Sequence, residues 1–86
     1  MKKFEYTVQE STGLHARPAG LLVKAAKVLD STITLENAAG KSAAATKLMA
    51  VMGLGIKQGD TVTVTVEGGD EEASATVMEK FFSENL

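Results

Sequence analysis

The chain has no cysteine and no tryptophan, one proline, one histidine, and only three Phe and one Tyr as large aromatic side chains. Without cysteine there is neither a disulfide framework nor a thiolate metal site. A lone histidine without companions makes a poor metal centre, so no metal and no cofactor is expected. Charge of one sign is also missing: 9 Lys and Arg stand against 11 Asp and Glu, a net of −2. That balance, with so few rings to stack bases, argues against nucleic-acid binding. No run approaches the roughly 18 apolar residues of a membrane span. Met1-Lys2-Lys3-Phe4-Glu5 leads into alternating residues, not into the apolar core of a signal peptide. A cytoplasmic protein without membrane insertion is the expectation. At 86 residues the chain is long enough for one modest core and too short for two, so a single domain over residues 1–86 is expected.

What is present divides by period. Residues 3–8 alternate, with Phe4, Tyr6 and Val8 on one side of a half-buried strand. From Ala16 the period becomes helical, and Ala19, Leu22, Val23, Ala26 and Leu29 form one stripe up to Asp30-Ser31. Ile33 and Leu35 alternate with threonines in a second strand, and Asn37-Ala38-Ala39-Gly40 reads as a loose hairpin turn into a weak strand over 42–45. Leu48, Met49, Val51 and Met52 make a short helix that ends around Gly53 and Gly55, both read as positive-φ positions. Val62, Val64 and Val66 alternate with threonines in the clearest strand. Asp70 is a plausible cap for a last helix burying Ala73, Val77, Phe81 and Phe82, with Glu71 and Glu72 at its positive end. The order β-α-β-β-α-β-α, with threonine-rich outer faces, predicts an α+β domain of two layers: a sheet with one wet face and three helices on the other.

The most informative segment is Gly13-Leu14-His15-Ala16-Arg17-Pro18-Ala19, which holds the only histidine and the only proline. Proline is tolerated in the first turn of a helix, where its missing N–H is not needed. His15 therefore falls at or just before a helix N-terminus, where free backbone N–H groups face outward and suit an anion. Histidine is nucleophilic in its neutral form and exchanges its charge near neutrality. Arg17 supplies a guanidinium for the phosphate that such a ring would carry. The other reading, a surface or capping histidine, is weakened by Gly13 before it, Arg17 beside it and Pro18 after it. No second nucleophile, acid–base pair or nucleotide site accompanies it. Gly40-Lys41-Ser42 lacks the glycine that a phosphate-binding P-loop needs five positions earlier, where Leu35 stands. A phosphoryl group must then be delivered and removed by other proteins, which makes the chain a carrier and not an enzyme.

Residues advance by about 100° along a helix, so Arg17, Gly20, Lys24 and Lys27 share a flank away from the apolar stripe. The plain reading is a solvated basic flank; the functional one is a docking surface for an acidic partner, with glycine allowing close approach. The short helix cannot bury Leu48, Met49, Val51 and Met52 on one layer, so one or two of them are expected in solvent beside the histidine.

Together with Leu48-Met49-Ala50-Val51-Met52-Gly53-Leu54-Gly55, the histidine motif resembles the HPr family, the histidine-containing phosphocarriers of the bacterial phosphoenolpyruvate-dependent sugar phosphotransferase system. The resemblance runs over essentially the whole chain, including Gln58-Gly59 and Glu67-Gly68. It implies an open-faced β-sandwich, a four-stranded antiparallel sheet covered on one face by three helices. It implies that the ring at His15 is phosphorylated on Nδ1 by phosphoenolpyruvate-charged enzyme I and passes the group to IIA domains of sugar permeases. Arg17 would steer and neutralise the group. Gly20, Lys24 and Lys27, with Leu48, Met49 and Met52, would be the partner surface; independently of the resemblance, a monomer is the default expectation.

One departure stands out. Many members carry a Lys-Ser pair just before the short helix, and a dedicated kinase phosphorylates that serine. Here the serine position falls on Lys47 and the lysine position on Thr46. Lys47 excludes that modification; Thr46 could take over the helix cap, with an off-register phosphoacceptor as its alternative role. The rival readings are a paralogue serving a nitrogen-type or dihydroxyacetone phosphorelay, and a binding module that engages a regulator without using His15.

Overall fold

The computed structural model describes residues 1–86. Seven elements follow in the order β1 (Lys2–Thr7), α1 (Ala16–Lys27), β2 (Thr32–Glu36), β3 (Ser42–Ala44), α2 (Leu48–Met52), β4 (Thr61–Glu67) and α3 (Glu71–Asn85). The strands form one antiparallel sheet in the order β1-β4-β2-β3. Because β4 inserts between β1 and β2, those two run parallel and are joined through α1. By the same logic β3 and β4 run parallel and are joined through α2. These two interlocked crossovers, with α3 appended, put every helix on one face, as the open-faced sandwich requires.

The alternating valines dictate which face is covered. Val62, Val64 and Val66 of β4 are fully buried, and Ile33 and Leu35 of β2 join them through registers that pair Ile33 with Val66 and Leu35 with Val64. Thr61, Thr63 and Thr65 point the other way, along the wet face. Above the valines lie Ala19, Leu22 and Ala26 of α1, Val51 of α2, and Met78 and Phe82 of α3. The Phe82 ring is met edge-on by Phe4, Tyr6 and Phe81, with centroids 6.1, 5.5 and 6.1 Å away.

Two details of the helices differ from the sequence expectation. The first concerns α3, whose buried stripe is Ser74, Ala75, Met78 and Phe82, with Phe81 only half-buried and Ala73 and Val77 exposed. A stripe at 73, 77 and 81 repeats every four residues and slides around a helix of 3.6 residues per turn. A buried serine was the unexpected member. Ser31 Oγ donates to the Gly68 carbonyl at 2.6 Å and is hydrogen-bonded to Ser74 Oγ at 2.8 Å, so burial leaves neither hydroxyl unpaired. Asp70 caps the helix as expected, accepting from the Ala73 N–H at 3.2 Å.

The second concerns α2. Its N-cap is Lys47, with no side-chain capping bond, and not Thr46. The Lys47 N–H turns back to the Ala44 carbonyl at 3.0 Å as the chain leaves β3, which delays the first helical residue to Leu48. At the far end Gly53 is helical at φ −66°, and only Gly55 takes the positive φ, 64°. The hairpin turn before α2 is also less loose than expected. Asn37 Oδ1 accepts from the N–H groups of Ala39 and Lys41, and its Nδ2 donates to the Leu54 carbonyl at 3.0 Å. One asparagine thus closes the turn and ties it to the exit of α2.

The first residue is fixed to the last helix. The Met1 ammonium lies 2.6 Å from Glu71, whose carboxylate also accepts from the Gly68 N–H at 2.7 Å. These two contacts, the ammonium first, hold the Glu71 carboxyl below its ordinary range. A depressed carboxyl contributes stability above its unfolded value and loses it as pH falls through the folded one. Glu71→Gln should therefore flatten the acid limb of a melting-temperature profile below the ordinary glutamate range. An acid limb identical to that of the parent protein would show the pair to be inert.

Candidate functional site

The loop before α1 is held from three directions, and this is what places His15. The N–H groups of Gln9 and Glu10 both donate to the main-chain oxygen of Leu86, just past α3. Gln58 Nε2 donates to the Gln9 carbonyl at 3.2 Å, and the Leu14 N–H donates to the Ile56 carbonyl at 3.0 Å. Leu14 and Ile56 are both buried, anchoring the loop in the core. Gly13 makes the turn at φ 67°, a left-handed conformation, so close to the 56–57 backbone that a Cβ would lie 2.6 Å from the Ile56 oxygen.

His15 is the N-cap of α1, in extended conformation, with its side chain exposed and bonded to no helix N–H. Its carbonyl starts the helix by accepting from the Ala19 N–H at 3.0 Å. Pro18 in the first turn has no N–H to lose. The N–H groups of Ala16 and Arg17 find no acceptor in the protein, and they open at the positive end of the helix next to the imidazole. No acidic side chain of the first turn occupies that end.

An open cavity of about 350 Å³ is lined by His15, Arg17, Pro18 and Leu21 from the start of α1, by Glu10 from the loop, and by Glu84 and Asn85 from the end of α3. Arg17 is exposed and makes no ion pair. Glu10 and Glu84 were not found by sequence reasoning. The Glu10 carboxyl is held below its usual range by the Thr12 N–H first, then the Ser11 and Thr12 hydroxyls, with His15 nearby. It is therefore anionic at neutral pH. The cavity is thus a polar mouth shared by the His15 ring and Arg17, with the free N–H groups of the first helical turn beside them and two carboxylates on its border. No group of three or more His, Cys, Asp or Glu side chains is placed to hold a metal. No helix is long and apolar enough to cross a membrane.

The docking candidates fall on the same layer, because α1 packs against α2 on one side and α3 on the other. Lys24 and Lys27 are exposed on α1, and Gly20 between Arg17 and Lys24 is half-buried with open space where a side chain would stand. On α2, Val51 alone is buried; Leu48, Met49 and Met52 are 40, 79 and 37% exposed. Three apolar side chains face solvent there, against the one or two expected. Leu21 of α1, which sequence reasoning passed over, is exposed too.

Fold and site together define a small β-sheet scaffold that presents one exposed histidine at a helix start. The profile of the PTS HPr component, described by its phosphorylation site, matches residues 2–84. The chain belongs to the HPr family, the phosphocarrier component of the sugar phosphotransferase system. Similar solved structures agree. The histidine-containing phosphocarrier protein of a Mycoplasma superposes with a TM-score of 0.90 at 30% identity, covering 96% of this chain and 93% of that one. An HPr of Thermoanaerobacter tengcongensis superposes at 0.86 with 38% identity over 100% of both chains. Crh, a catabolite repression protein of Bacillus subtilis with a domain-swapped dimer structure, superposes at 0.76 with 32% identity, covering 100% of this chain and 98% of that one.

Proposed function

We propose that this chain is a phosphocarrier in which His15 accepts a phosphoryl group from phosphoenolpyruvate-charged enzyme I and passes it to IIA domains of sugar permeases. The observation that carries the reading is the exposed His15 ring beside two unused N–H groups, with Arg17 lining the same cavity. In the first step the Nδ1 lone pair attacks phosphorus, a P–N bond forms, and the bond to the donor breaks. The same P–N bond breaks when the acceptor attacks. The N–H groups of Ala16 and Arg17 and the Arg17 guanidinium face the phosphoryl oxygens, where charge is greatest during transfer. The carboxylates of Glu10 and Glu84 oppose long retention of the same group, which suits a carrier. All residues of the chain serve one phosphoryl-bearing domain that acts as a monomer in the cytoplasm. The group is supplied and taken away by partners, so the chain turns nothing over by itself.

Arg17→Ala should slow phosphoryl uptake by about 10²-fold, the scale of removing one donor to a developing oxyanion. Its melting temperature should hardly move, because the side chain is exposed and makes neither a hydrogen bond nor an ion pair. Rapid-quench uptake kinetics and a thermal melt on the same preparation check both halves. Equal losses of fold and transfer would contradict the role assigned to Arg17.

The experiment that tests the whole reading is a relay. The chain is charged by enzyme I and phosphoenolpyruvate, separated, and offered to IIA domains of sugar permeases, to nitrogen-type acceptors and to a dihydroxyacetone relay. Prompt transfer to sugar IIA domains supports the proposal, whereas transfer only to the other acceptors assigns the chain to a paralogous relay. The second reading, a regulator-binding module, draws on the exposed Leu48–Met52 patch and the likeness to Crh. It requires that the charged form never develops.

A further inference from the structure

Charge is strongly segregated along this chain. Between Ser11 and Lys57 stand Arg17, Lys24, Lys27, Lys41, Lys47 and Lys57 against only Asp30 and Glu36. From Gln58 to Leu86 acids outnumber the single Lys80 by seven to one. Arg17, Lys24 and Lys27 stand on α1 and Lys47 at the start of the adjoining α2, whereas Glu71, Glu72, Glu79 and Glu84 stand on α3, which packs against α1, and of these acids Glu84 reaches the His15 cavity. No Lys or Arg side chain forms an ion pair; the one ion pair of the structure joins the Met1 ammonium to Glu71. The cations around α1 and α2 are therefore free to act on a partner.

Lys47 is the member of this set that local structure does not account for. It is the N-cap of α2, a position that favours Ser, Thr, Asp or Asn, and it forms no side-chain capping bond. Its charge also sits at the positive end of the helix, where the macrodipole disfavours a cation. The contrast is Lys41, whose Nζ reaches the Gly53 carbonyl at 3.4 Å, at the end that favours a cation. Lys47 is exposed and immediately precedes exposed Leu48 and Met49. A residue that breaks two local rules without a compensating contact points to a role outside the fold.

We infer that Lys47 is a specificity-determining residue. It extends the basic rim of the docking face from α1 to the start of α2, and so selects a phosphoryl-donor protein whose surface is acidic opposite that point. The inference rests on the phosphocarrier reading and adds a residue to its docking surface. Free cations at the edge of an apolar patch act mainly on encounter: they raise the association rate and make it sensitive to salt. The acidic side of α3 repels the same donor surface, so attraction at α1–α2 and repulsion at α3 together fix the docking orientation.

The test uses the full chain, purified enzyme I and phosphoenolpyruvate, with uptake rates measured from low to high salt. Three proteins are compared: the parent, Lys47→Asn and Lys47→Glu. Lys47→Asn supplies a neutral capping side chain, so it should melt above the parent and yet take up phosphate roughly two- to fivefold more slowly at low salt. Lys47→Glu should be slower by about tenfold. All three rates should converge near 1 M salt, where the Debye length is about 3 Å. A variant that is better folded and slower, and whose deficit salt erases, leaves no structural explanation. Rates and salt slopes that superimpose for the three proteins overturn the assignment of Lys47 while leaving the carrier reading intact. Absence of uptake by the parent overturns the carrier reading and this inference with it.

Discussion

His15→Ala will remain folded and will take up no phosphoryl group. The imidazole is exposed and caps no N–H, so its removal opens no cavity and leaves no buried polar group unpaired. Substitutions of that kind change stability by no more than about 0.5 kcal/mol. The chemistry has no such reserve. His15 is the only histidine, there is no cysteine, and the cavity it lines offers no other nitrogen nucleophile of neutral charge at physiological pH. Uptake should fall below detection, while circular dichroism and the melting temperature match the parent. Residual acid-labile phosphate on the variant would move the acceptor to another residue and remove the basis for the site.

Gly13→Ala will damage the fold and the site together. Gly13 takes φ 67°, where a β-carbon costs roughly 1–2 kcal/mol. The new carbon would also meet the Ile56 oxygen at 2.6 Å and the Lys57 Cα at 2.7 Å. Both are backbone atoms, so no side chain can swing aside, and forcing extra volume into such a contact costs typically a further ~1–3 kcal/mol. The sum, about 2–5 kcal/mol, corresponds to a fall of roughly 10 °C or more for a domain of this size. Gly20→Ala is the internal control. It lies in α1 with nothing within 4 Å of the added carbon, and alanine is the better helix former. Differential scanning calorimetry should show the two variants moving in opposite directions. A Gly13→Ala melt equal to the parent would mean that the 13–56 contact does not set the loop.

The parts of this molecule that were legible in the chain are those governed by local period and local caps. Val62, Val64 and Val66 alternate with threonines and become the central strand; Asp70 reads as a cap and is one. His15 was placed at a helix start by Pro18 three residues later, and α1 begins at Ala16. What was not legible depended on distant parts of the chain. The stripe of α3 includes Ser74 because Ser31 and Gly68 supply its hydroxyl network from other elements. Glu10 and Glu84 carry no motif. They line one cavity because the N–H groups of Gln9 and Glu10 both bind the main-chain oxygen of Leu86 at the other end of the sequence. The cap of α2 fell on Lys47 instead of Thr46 because the turn out of β3 consumes Thr46. Propensity favoured the threonine, and strand geometry prevailed.

The central claim is that one ring nitrogen of His15 carries a transferable phosphate. The most direct measurement is the intact mass of the parent chain after incubation with enzyme I, magnesium and phosphoenolpyruvate, before and after brief acid treatment. The expected result is the mass of a single added phosphate that disappears in acid, as a P–N bond does. An unmodified mass from folded protein, or a phosphate that survives acid and therefore sits on a hydroxyl, would contradict it.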